Sequence, residues 1–210
     1  MTEASSFIST VEETNKTALS RLGSSRSLYA ATAGDIDTEP VLIALVEAEH
    51  AAVQTFSDWA ETESHPIARN LWEDLAAVEE QHLEVAQQLL AASHQPGNEP
   101  ALHTYLRNLT SPESRVGGLI GRILASQRSK DQLIGYFIGA ADPQTTDVIR
   151  SFRADLDEQF TDATEAIESI CTDDEAWVEA ETAATGAIQA TYEEYVEQLE
   201  ALGVNPKPVC

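Results

Sequence analysis

The chain has 210 residues, with 12 basic side chains against 36 acidic ones and a net charge of −24. That length can bury a core of its own, and a hydrophobic fraction of 42% excludes a disordered chain. The charge excludes direct binding to nucleic acid or to an anionic membrane, because both would be repelled. Nine Arg and only three Lys stand in this acidic, Ala-rich background. Dense carboxylate of this kind keeps a protein soluble in concentrated salt, where screening removes the self-repulsion, so the expectation is an extreme halophile. Two cysteines, Cys171 and Cys210, exclude a disulfide framework and any four-Cys metal site. The opening MTEASSFIST has neither a basic stretch nor a long apolar one, and the most apolar runs, Val116–Ala125 and Leu133–Ala141, are far shorter than the ~20 residues of a span. A soluble, cytoplasmic protein is expected.

Period-3.6 patterns dominate along the chain, and no alternating run reads as a strand. Residues 5–22 predict a first helix with Phe7, Val11, Ala18 and Leu22 on one face, stopping at Gly23. A Ser-rich turn and the connector AGDIDTEP follow, and Pro40 opens a long helix to about Thr62. After the turn ESHP, a second long helix runs from Pro66 to about Ser93, where HQPGNEP breaks it. A crossover follows, with one short helix at Ala101–Leu109. Ser111-Pro starts a third long helix to Ala141, and Asp142-Pro143 turns the chain into a fourth, ending near Cys171. Thr172-Asp-Asp-Glu caps a fifth, from Asp173 to Leu202, stopped by Gly203. The predicted class is all-α: a four-helix bundle over 40–171 with a long crossover, an N-terminal helix and connector at 1–39, and a fifth helix and tail at 172–210 packing on the bundle.

Three polar residues interrupt the apolar seams of the first two long helices. Glu49 stands seven residues from both Leu42 and Phe56, Glu79 seven from Trp72 and Ala86, and His82 seven from Leu75 and Leu89, so all three point inward. The turn centres near residue 64, which puts Glu49 and Glu79 each 15 residues from it. Both carboxylates therefore lie at one level, ~22 Å from the turn at ~1.5 Å per residue, with His82 one turn beyond. A Glu facing Glu-x-x-His is half of a dinuclear carboxylate centre.

The stretches AEHAAVQTFSDWA and RNLWEDLAAVEEQHLEVAQQLL, with the spacing from Glu49 to Glu79 and His82, resemble the first helix pair of rubrerythrin-type, ferritin-like proteins. The resemblance covers about residues 41–93 and implies a ferritin-like bundle with Glu49, Glu79 and His82 as metal ligands. A second ligand set should repeat it. Counting 15 residues either way from Asp142 lands on Gln127 and Asp157, with Phe160 in the place of His82. A register one residue different brings Leu156 and Gln159 instead, and neither register supplies a histidine. Glu49, Glu79 and His82, with Asp157 as an added candidate, can hold one iron or another divalent metal. A metal-free, hydrogen-bonded cluster fits the same residues equally well.

The resemblance thus implies a half-degenerate di-iron site in a metal-binding, structural or regulatory module. Its alternative is a non-haem iron oxidoreductase, acting on peroxide or oxygen, whose site a homodimer completes. The segment LGSSRSLYA is similar to acidic halophile proteins labelled transcription antitermination factors, a third reading. Elsewhere the plainer assignments hold. Glu47 and His50 read as surface residues, since they point away from the seam of Glu49. His65, His94 and His103 read as solvated residues of turns and crossover. Gly117, Gly118, Gly121, Gly135 and Gly139 read as sites of close helix approach. Cys210 reads as a free terminal thiol. The stripe Trp177, Ala184, Ile188, Tyr192, Tyr195, Leu199 and Leu202 reads as packed on the bundle, with a dimer seam as the alternative.

Overall fold

A computed structural model describes residues 3–90 and 93–206; Cys210 lies outside the described residues. Among those residues there are nine helices and no strand: α1 (Glu3–Thr14), α2 (Lys16–Leu22), α3 (Ser25–Ala31), α4 (Thr38–Thr62), α5 (Pro66–Leu89), α6 (Ala101–Arg107), α7 (Pro112–Gly139), α8 (Pro143–Ile170) and α9 (Asp174–Ala201). The protein is all-α. No described helix is long and apolar enough to cross a membrane.

The predicted starts rest on local chemistry that the structure shows directly. The Ser111 side chain accepts from Ser114 N, Asp142 from Thr145 N and Asp173 from Ala176 N, each capping the helix that follows. Pro66, Pro112 and Pro143 sit in first turns, where a missing N–H costs nothing. The α4–α5 turn is locked by Glu63, whose Oε1 accepts from the backbone of Ser64 and His65 and whose Oε2 accepts from Arg115 and Trp72.

The first predicted helix is in fact two. Asn15 interrupts it, fully buried, with its side chain donating to Val11 O and Thr185 Oγ1 and accepting from Gln189. A polar side chain bonded across to α9 here outweighs the continuous apolar face seen in the sequence. The Ser-rich turn is likewise the short helix α3. The second long helix stops at Leu89 rather than Ser93.

Helices α4 and α5 pack as one pair and α7 and α8 as another, α5 meets α8, and α9 runs along α7. Gly117 and Gly121 make that last contact possible: a Cβ on either would overlap the backbone of Ala180 or Ala184. Gly135 and Gly139 do not share this role, because nothing lies within 4 Å of a Cβ built there.

Apolar burial divides into two main clusters. One gathers Phe56, Trp59, Trp72, Ile120, Ile167 and Ile188; the other gathers Val41, Leu45, Ala86, Phe137, Ile149 and Phe152. Along α4, Glu49 falls between the second cluster's Val46 and the first cluster's Ala52, and along α5, Glu79 falls between Leu75 and Ala86. A polar layer therefore crosses the core at the level that the sequence arithmetic indicates.

Candidate metal centre

Glu49 from α4 and Glu79 and His82 from α5 meet in that layer, with one ligand atom from each lying within 4.8 Å of the others. Glu49 and Glu79 are each 1% exposed and His82 6%. His82 Nδ1 stands 3.6 Å from Glu79 Oε2 and 3.8 Å from Glu49 Oε2, too far for hydrogen bonds. Ligands held ~2.1 Å from a tetrahedral metal lie ~3.4 Å from one another, close to this spacing. Glu79 Oε2 is buried and makes no hydrogen bond.

The outward-facing atoms of the same three residues are all held. Glu79 Oε1 accepts from Arg122 Nη2 at 2.8 Å and from Gln159 Nε2 at 3.0 Å. Arg122 Nη1 in turn donates to Gln159 Oε1 at 2.8 Å. Lys130 Nζ donates to Glu49 Oε1. His82 Nε2 lies 2.8 Å from Asp155 Oδ2, and the imidazole stacks on Phe152 with ring centres 4.0 Å apart. Metal-ligating histidines characteristically bind a carboxylate through the other ring nitrogen, which fixes ring orientation and tautomer.

Charge in the layer follows from these contacts. Burial raises the Glu49 pKa, Lys130 opposes the rise, and the neighbouring Glu79 adds to it; the net direction is up. Burial acts on Glu79 the same way, but Arg122 beside it, with His82, holds it well below the ordinary carboxylate value. Burial lowers the His82 pKa, yet Glu79, Glu49 and Asp155 together raise it above that of a free imidazole. Without a metal, Glu49 is the carboxyl of this pair that a proton reaches first as pH falls, and His82 keeps its proton to a higher pH than a free imidazole.

The remaining predicted ligands lie elsewhere. Asp157 is exposed, accepting from Gln127 at 2.9 Å and from Arg153 at 2.5 Å. The contact between Gln127 and Asp157 shows that the count from the second turn finds the right level, but on the outer face. The register one residue different is the inward one: Leu156 and Gln159 are buried, and Gln159 reaches Glu79. Phe160 is half-buried against the apolar core.

Glu47 is not a surface residue. It is 9% exposed, and its two oxygens accept from Gly97 N, Asn98 N and His94 Nε2, fastening the crossover to α4. His103 is not solvated: it lies on α6 at 3% exposure. Thr55 Oγ1 donates to Ala51 O and is therefore the acceptor for His103 Nδ1–H at 2.9 Å. Burial, with Arg122 nearby, pushes its pKa down to about 3.

Arg122, Lys130 and Asp155 are site residues that periodicity passes over, whereas Gln159 stood in the alternative register. One signal was present: Arg122 is the single charge inside VGGLIGRILA, where an unpaired guanidinium could not be buried. Together, fold and centre define a helical protein with a buried Glu–Glu–His cluster that could hold a metal ion. No family model, characterised protein or solved structure matches this chain.

Proposed function

We propose that this chain is a ferritin-like, rubrerythrin-related protein that keeps one half of a dinuclear carboxylate centre and binds a single divalent metal as a metal-binding or regulatory module. The observation that carries the reading is the unpartnered Glu79 Oε2, buried where Glu49 Oε2 and His82 Nδ1 converge, while the far side of each ligand is held by a fixed partner. Two carboxylates and an imidazole converging in a dry layer need a proton or a cation between them. A divalent ion would supply that cation in place of the His82 proton, as in three-ligand sites that leave a position open. When bound, it supplies a Lewis-acidic centre. The chain's own residues orient the ligands: Arg122 and Gln159 hold Glu79, Lys130 holds Glu49, and Asp155 holds His82.

Among the described residues no second cluster of ligands adjoins the first. Arg122 and Lys130 supply positive charge where a second ion would have to, and Gln159 is neutral. The burial of Glu49, Glu79 and His82 inside one chain argues against completion by a second copy, so the reading favours a binding module over a peroxide- or oxygen-consuming enzyme.

The test is metal stoichiometry. Titration of metal-free protein with Co(II) should give one tetrahedral ion per chain, and Glu79→Gln together with His82→Gln should remove it. No binding would leave a purely ionic core. Two ions per chain with a coupled iron spectrum and fast Fe(II) oxidation would establish the enzyme instead.

A further inference from the structure

A cavity of about 430 Å³ opens beside the polar layer, walled by α3, α4, α6, α7 and α9. Its volume falls within the ~300–1,000 Å³ of small-molecule sites. Leu28, Ile43, Leu102, Leu133 and Tyr195 give it a largely apolar wall. Glu49, Arg122, Lys130 and His103 also line it, whereas Glu79 and His82 do not.

The cations on that wall are already matched. Lys130 is bound to Glu49 and Arg122 to Glu79. Glu47 is filled by two backbone N–H groups and His94. Glu194 accepts from the backbone of Ala101, and burial raises its pKa. His103 stays neutral, and the bond of its Nδ1–H to Thr55 leaves Nε2 as a free acceptor. An anionic guest would lose its hydration and meet no free cation, and a cationic one would find only Glu194, whose carboxyl burial and the neighbouring Glu197 push toward the neutral form. An uncharged one loses little, and it can use the imidazole nitrogen, the remaining ammonium hydrogens of Lys130, or the Ser126 hydroxyl.

From this pairing we infer that the cavity is a binding site for an uncharged, mainly apolar small molecule carrying an N–H, hydroxyl or carbonyl group. The inference does not depend on metal occupancy, because the cavity-lining groups keep their partners either way.

A matched pair of dyes tests it. N-phenyl-1-naphthylamine is neutral with one N–H donor, and 1-anilinonaphthalene-8-sulfonate is the same ring system carrying a sulfonate. Fluorescence titration in molar KCl screens the anion's repulsion by the acidic surface. The neutral dye should bind with one site per chain and at least ~10-fold more tightly than the sulfonate. Ala44→Phe on α4 and Ser126→Phe on α7 each project a ring into the cavity and should each weaken the neutral dye at least ~10-fold while helicity and cooperative unfolding persist. Absence of binding, equal or tighter binding of the sulfonate, or binding that survives both folded variants would each overturn the inference.

Discussion

Lys130 and His103 show how single side chains set the electrostatics of the core. Lys130 is the direct counter-charge of a Glu49 that is almost fully buried. Replacing it by Met strands that carboxyl, and loss of one partner from a buried pair costs ~3–5 kcal/mol. Urea unfolding of metal-free Lys130→Met should show a loss of this size, partly restored by adding Glu49→Gln. Because a divalent ion would take over the ammonium's role, Co(II) should raise the melting temperature of Lys130→Met more than that of the parent chain. An equal shift would detach Lys130 from the metal site.

The two buried histidines titrate in opposite senses. His103 falls to about 3 in the folded protein, so below its ordinary value of 6.5 the unfolded chain takes up a proton that the folded one refuses. Stability is then lost as pH falls from about 6.5 toward 3, by at most ~1.4 kcal/mol per pH unit. His82 is raised instead, so its contribution is fully present below 6.5 and is lost as pH climbs through the raised value. Denaturation curves from pH 4 to 8 on metal-free protein should show His103→Gln with a flatter acid limb than the parent. A steeper or unchanged limb would contradict the buried neutral imidazole.

At the scale of the element, α7 carries two kinds of glycine on one helix. Gly121 faces the Ala184 backbone with no room for a methyl group, while Gly135 faces open space at an exposed position. Gly121→Ala must push α9 away and should cost ~1–3 kcal/mol as an overpacking change. Gly135→Ala keeps every contact and relieves the chain entropy of an interior helical glycine, a gain of ~0.5–1 kcal/mol. Thermal melts of the two variants should move in opposite directions. If both lose stability, the close α7–α9 approach is not what distinguishes them.

At the scale of the whole molecule, three of the eleven basic residues among those described, Arg115, Arg122 and Lys130, are buried. The surface is therefore poorer in positive charge than composition alone conveys. Like charges repel across a Debye length of ~10 Å at 0.1 M salt and ~3 Å at 1 M. The melting temperature should rise steadily from dilute buffer to molar KCl, as expected of a protein adapted to concentrated salt. A flat or falling curve would remove the halophile reading.

Much of the fold was legible in the sequence, for a definite reason. Helix starts at Ser111, Asp142 and Asp173 depend on bonds to residues three places away, so local sequence determined them. The inward facing of Glu49, Glu79 and His82 depends on the 3.6-residue period, and their shared level on the length of one hairpin, both readable from the chain. Tertiary structure alone decided what those groups meet. Whether Asp157 and Phe160 or Leu156 and Gln159 turn inward is one residue, ~100° of helix rotation, and that rotation is set by how α8 packs against its neighbours α7 and α5. The break at Asn15 depends on Thr185 and Gln189, and the neutrality of His103 on Thr55 and on burial, partners too distant in the chain to leave a periodic mark. The pairing of Arg122 with Glu79 and of Lys130 with Glu49 joins residues 43 and 81 positions apart, so the cations that balance the core could be found only once α7 was laid beside α4 and α5.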